Sequence, residues 1–130
     1  MPSKTAPAGD PGSQVPRTPL PFSACVRAGE FVFVSGQASV DATGKIVPDT
    51  FEGEFRRSVE NLRKVLEAAG SDLRHVVQTR NYVRDAANVP RYNELYREYF
   101  TAPFPSRTTI TGCLPPTLHY EIECVAVRKK

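Results

Sequence analysis

Apolar residues recur at two different periods along this chain. Phe51, Phe55, Val59, Leu62, Leu66 and Ala69 fall three to four residues apart, which places them on one face of a helix. Asp49 or Thr50 is positioned to cap that helix, with Glu52 three residues after Asp49, and Gly70 is positioned to end it. The same spacing returns in Val89, Tyr92, Leu95, Tyr96 and Tyr99, and Pro90 suits a first turn. A second helix is predicted from Val89 or Pro90 to Phe100. Between these segments lie short runs rich in β-branched and aromatic residues. Ala24–Val26 and Phe31–Ser35 read as two strands joined by a tight turn at Ala28-Gly29. Phe31–Val34 is unbroken apolar sequence, which predicts cover on both faces. Gly36 then marks a bulge or a close approach of a ligand or backbone. His75–Arg84, Arg107–Thr111 and Tyr120–Val127 complete the strands, with a short extra one near residues 37–48. The order β-β-α-β-α-β-β predicts an α+β fold, a sheet carrying both helices on one face. The opposite face then needs a cover, and a second copy of the chain is the natural one.

The length of 130 residues fits one domain. Residues 1–20 hold small and polar residues, and Met1–Pro21 carries half of the twelve prolines. This predicts a flexible or loosely draped leader before a domain over residues 21–130. The remaining chain is small enough that oligomerisation would add useful burial. The net charge of +3 comes with interspersed charges and no basic stripe, which argues against a nucleic-acid binder. No apolar run approaches the length of a membrane span. The odd count of three cysteines contains no CxxC pair and points to a reducing compartment, read here as the cytoplasm. His75 and His119 stand apart, and no metal site is predicted.

The candidate chemistry lies in the C-terminal third. Arg107 opens a strand after the turn Ala102-Pro103-Phe104-Pro105-Ser106. An arginine there can hold a carboxylate through two parallel hydrogen bonds. Glu121 and Glu123 share one face of the last strand, where a glutamate can orient water and move a proton. The structural alternative is an Arg107–Glu121 or Arg107–Glu123 ion pair that only orders the sheet.

These residues also carry a resemblance. Phe104-Pro105-Ser106-Arg107-Thr108-Thr109, Val34-Ser35-Gly36-Gln37 and Glu121-Ile122-Glu123-Cys124-Val125-Ala126-Val127 resemble signatures of the YjgF/RidA-type reactive intermediate deaminases. Glu60-Asn61-Leu62 with Leu66-Glu67-Ala68-Ala69-Gly70, and Tyr92-Asn93-Glu94-Leu95-Tyr96, add to it, in order along residues 21–128. The resemblance implies a chorismate-mutase-like mixed sheet and a homotrimer with three clefts between subunits. It implies no metal and no cofactor. The reaction it implies is hydrolysis of a small enamine or imine carboxylate to a 2-oxo acid and ammonia. Arg107 matches the arginine that grips the substrate carboxylate, and Glu121 the glutamate that positions water. Ser35 and Gly36 match strand-end substrate contacts, and Asn93 matches a cleft asparagine.

The chain departs from the archetype at the pocket. Phe22 stands where a tyrosine is usual, Ala24 where a glutamine is usual, and Thr109 where a cysteine is usual. The segment from Arg107 to Leu114 is one residue shorter. Phe22 and Thr109 are therefore read as cleft-shaping positions, in a pocket that is remodelled around an intact carboxylate grip and water site. Two other readings stay open: a deaminase for one pathway intermediate, such as an aminomuconate- or aminoacrylate-like acid, and a non-catalytic, chaperone-like trimer that binds 2-oxo acids. A ribonuclease or translation inhibitor, suggested by some family names, lacks its basic groove.

Overall fold

The structure is a computed structural model and describes residues 3–10 and 12–130. Its strands are β1 (Lys4–Thr5), β2 (Cys25–Ala28), β3 (Phe31–Ala38), β4 (Val76–Val83), β5 (Ser106–Thr111) and β6 (Tyr120–Val127). Its helices are α1 (Phe51–Ala68) and α2 (Val89–Tyr99). The strands form one six-stranded sheet in the order β1-β2-β3-β6-β4-β5. Neighbours are antiparallel except β4 and β5, which run parallel and leave β5 at an edge. The short strand expected near residues 37–48 is reduced to one bridge between Val40 and Ile46.

Helix α1 starts where its cap allows. The Thr50 side chain accepts the Gly53 N–H at 3.1 Å, while Glu52 turns away to Arg56 and Arg91. It ends before Gly70, whose φ of +87° few other residues adopt. Phe55, Val59, Leu62 and Leu66 are fully buried, and each stabilises the fold by roughly 1.5–3 kcal/mol relative to exposure. Against them pack Val32 and Val34 of β3 and Tyr120, Ile122, Cys124 and Ala126 of β6. Burial pushes the Cys25 thiol up to about 11 and the Cys124 thiol up to about 12, so both stay protonated at neutral pH.

One expectation needs correction. The run Phe31–Val34 is not covered on both faces of the single chain. Val32 and Val34 are buried, whereas Phe31 and Phe33 are 47% and 46% exposed on the face without helices. The segment read as a leader follows the sheet. Lys4–Thr5 pairs with the free edge of β2, Arg27 bonds Asp10, and Val15 is buried in the core. An unpaired edge offers backbone partners, and a few buried contacts then hold the segment in place. Met1, Pro2 and Pro11 lie outside the described residues. Among the described residues no helix is long and apolar enough to cross a membrane.

Candidate active site

The residues singled out by sequence separate into two groups on opposite faces of the sheet. The first group gathers at the edge strand. Arg107 sits opposite Thr79 in the β4–β5 register, and Thr79 faces the helices. The Arg107 side chain therefore lies on the helix face, with its guanidinium carbon 4.8 Å from the ring centre of Tyr92 and 4.9 Å from that of Tyr96. Both distances fall within the range of a cation–π contact. Two residues along, the Thr109 hydroxyl meets the Tyr92 hydroxyl at 2.8 Å. Arg107, Asn93, Tyr96, Arg97, Phe104 and Pro105 line an open recess of about 240 Å³.

A buried polar chain underlies this recess. The Tyr120 hydroxyl donates to Asn81 Oδ1 at 2.5 Å, and Asn81 Nδ2 donates to Thr79 Oγ1 at 3.0 Å. Thr79 Oγ1 in turn meets the Tyr96 hydroxyl at 2.8 Å. Tyr92 and Tyr96 belong to the periodic apolar stripe of α2, and both are buried. They also form the platform for Arg107, which their helical spacing alone could not reveal. Burial pushes the Tyr92 hydroxyl up to about 12, with Arg107 pulling weakly the other way, and burial also raises Tyr96. Both hydroxyls stay protonated at neutral pH.

The second group lies on the helix-free face. Glu121 pairs with Tyr82 and Ala38 in the sheet, pointing away from the core. Gly36 occupies a register break between Val34 and Gln37, so the expected bulge is present. A β-carbon at Gly36 would stand 2.8 Å from Glu121 Oε2. Gly36 is thus the residue that makes room for this carboxylate. Burial, then the neighbouring Glu123, raises the Glu121 carboxyl above its ordinary value. Ser35 donates its hydroxyl to the Ser23 carbonyl at 2.6 Å, which ties the Phe22-bearing segment to this side. Phe22 itself is exposed. Ser35, Arg80 and Glu123 share a depression of about 370 Å³ on this face.

Neither ion pair considered for Arg107 exists. Strand β4 lies between β5 and β6, and Arg107 and Glu121 project to opposite sides. Glu123 instead accepts from the Tyr82 hydroxyl and lies 3.6 Å from Arg80. Arg107 makes no ion pair among the described residues.

Comparison with known proteins identifies the family. The family model described as endoribonuclease L-PSP matches residues 13–128. The chain belongs to this family, which includes the YjgF, RidA and RutC proteins. A RutC family protein of Pyrococcus horikoshii is 35% identical over 84% of this chain and 88% of its own length. The 2-iminobutanoate/2-iminopropanoate deaminase of Mus musculus is 33% identical over 83% of this chain and 82% of its own. Among solved structures, Escherichia coli TdcF with bound serine superposes with a TM-score of 0.77 at 30% identity, covering 89% of this chain and 94% of that one. The mixed α+β architecture, six strands and two helices, is that of the Rid-family structures.

Proposed function

We propose that this chain is a cofactor-independent deaminase that hydrolyses a small 2-imino or enamine acid to a 2-oxo acid and ammonia. The observation that carries the reading is Arg107 itself. It is an arginine without an ion-pair partner among the described residues, laid across two tyrosine rings at the wall of a recess. That geometry offers its planar fork to a carboxylate from outside. The deaminase names of relatives at similar identity support the same chemistry.

The two groups of site residues act together only if separate copies of the chain meet. We infer a homotrimer in which the Arg107 recess of one subunit faces the Glu121 side of the next. The bare apolar face supports this, since burying Phe31, Phe33 and Val77 there would remove large exposed hydrophobic residues from water. In such a cleft Arg107 anchors the carboxylate and Asn93 and Thr109 border it. Glu121, protonated more readily than an ordinary glutamate, takes a proton from the attacking water as that oxygen bonds to the imine carbon. That proton passes to the imine nitrogen to give a carbinolamine, and Glu121 then relays the hydroxyl proton to the amino nitrogen as the C–N bond breaks, so ammonia leaves and the carbonyl forms. The raised carboxyl favours holding the proton between the two transfers.

The direct test generates 2-iminobutanoate in the assay with an amino-acid dehydratase and follows 2-oxo acid release. Release well above the spontaneous rate is expected from the wild type, and background release from Glu121→Gln. Binding of 2-oxobutanoate without turnover would instead identify a ligand-binding trimer.

A further inference from the structure

Helices α1 and α2 carry five arginines, Arg56, Arg57, Arg63, Arg91 and Arg97. Four of them are paired with carboxylates: Arg56 with Glu52 and Glu98, Arg57 with Asp49, Arg63 with Glu60 and Glu67, and Arg91 with Glu52 and Glu94. Arg97 makes no ion pair among the described residues, although acidic side chains are plentiful on the same helices. It stands one turn after Asn93 on α2, and the two line the same recess as Arg107. The recess therefore presents two guanidinium groups, no carboxylate in its lining and one amide, with Phe104 and Pro105 as its apolar wall.

We propose that Arg97 is a specificity-determining residue that binds a second carboxylate, so that the substrate class is a 2-imino dicarboxylic acid. This rests on the reading of Arg107 as the anchor for the first carboxylate. A single carboxylate occupies one guanidinium fork and leaves the other cation unneutralised in the same recess. A dicarboxylate satisfies both, and the amide of Asn93 can bond the imine end or either acid. The recess of about 240 Å³ has room for a four- or five-carbon diacid. The location of Arg97 in the last turn of α2 offers another role, complementing the negative end of the helix dipole. That role predicts a change in stability and no change in substrate preference.

The test compares the imines of glutamate and of 2-aminobutyrate, each generated in the assay by an amino-acid oxidase, on the same preparation of the full chain. Taking the ratio of the two kcat/KM values cancels any loss of folded protein. The wild type is expected to favour the dicarboxylate, and Arg97→Gln to lower that ratio by about tenfold, the size of one charge-assisted hydrogen bond. Arg97→Lys keeps the charge and is expected to keep part of the preference. Calorimetric binding of 2-oxoglutarate and 2-oxobutanoate gives the same comparison without chemistry. A wild type that favours the monocarboxylate, or a ratio unchanged in Arg97→Gln, overturns the proposal. If neither 2-oxo acid binds and neither imine is hydrolysed, or if Arg107→Gln leaves binding intact, the Arg107 reading fails first and this one falls with it.

Discussion

The two faces of the sheet are built from the same strands and have opposite fates. On the helix side Val32, Val34, Ile122, Cys124 and Ala126 are sealed beneath α1, and even the polar residues Thr79 and Asn81 find partners. On the other side Phe31, Phe33 and Val77 stay close to half exposed, beside Arg80, Glu121 and Glu123. The helix side completes itself within one chain. The bare side carries core-like residues without a core. The candidate chemistry is divided along the same line, with the anionic-ligand grip at the helix side's edge and the candidate proton carrier on the bare side. The two halves of the proposed site thus lie apart within one chain.

Breaking the contact on the bare side is expected to have the largest effect. Phe33→Glu places a charge where an apolar interface is proposed, and burying that charge is costly. Light scattering should report monomers in place of trimers, and imine hydrolysis should fall to background while circular dichroism keeps the wild-type secondary structure. A wild type that is itself monomeric at micromolar concentration would end the trimer reading. Next comes Arg107→Lys. Lysine supplies charge without the planar fork and without the stack on Tyr92 and Tyr96, so kcat/KM should drop by about one to three orders of magnitude. Assembly and melting temperature should hardly move, because Arg107 is exposed and has no ion pair among the described residues to lose. A variant that melts early yet remains fully active per folded molecule would reverse the assignment.

The difference between the faces also explains what could be read from sequence. Period alone located α1, α2 and the main strands, because Phe55, Val59 and Leu62 in one case and Ile122, Cys124 and Ala126 in the other obey the rule of their element. It also placed Glu121 and Glu123 together on one face of β6. It could not say which face. That depends on register: Arg107 lies in the row of Thr79 and Cys124 on the helix side, and Glu121 lies in the row of Tyr82 on the other. Pairing partners distant in sequence were equally invisible. The Tyr96–Thr79 contact joins a helix to a strand, and the buried carboxylate of Glu54 accepts the His119 backbone N–H at 2.8 Å from 65 residues away. The edge pairing of Lys4–Thr5 was hidden by composition, since a proline-rich, polar segment gives no apolar pattern to follow.

A smaller effect is expected where β3 meets Glu121. Gly36→Ala adds one carbon 2.8 Å from Glu121 Oε2. The obstacle is the end of a flexible side chain, so the carboxylate should swing aside at little cost in stability. Its displacement by about an ångström should lower kcat by roughly ten- to a hundredfold. KM should change far less, because Arg107 and Asn93 are untouched on the other face. A rise in KM with unchanged kcat would mean that Gly36 shapes binding and that Glu121 is not the proton carrier.

The smallest effect separates the chain alone from the chain assembled. In the single chain Glu121 has a raised carboxyl, from burial first and Glu123 second. A native value above the unfolded one means that the folded state holds more protons between the two values. Stability therefore falls as pH rises through that window, and the cost is fully present above the folded value. Glu121→Gln cannot titrate and is spared that cost. Its melting temperature should exceed that of the wild type at pH 7–8, and the gap should close as pH falls toward the ordinary glutamate value of 4.5. The same variant should lack activity, which ties the stored cost to function. Measuring the gap in the Phe33→Glu background gives the value for the separated chain. If the gap there is positive but vanishes or reverses in the trimer, a cation from another copy reaches Glu121 across the bare face. If the gap is absent in both, Glu121 behaves as an ordinary surface carboxylate, and its place as proton carrier is lost.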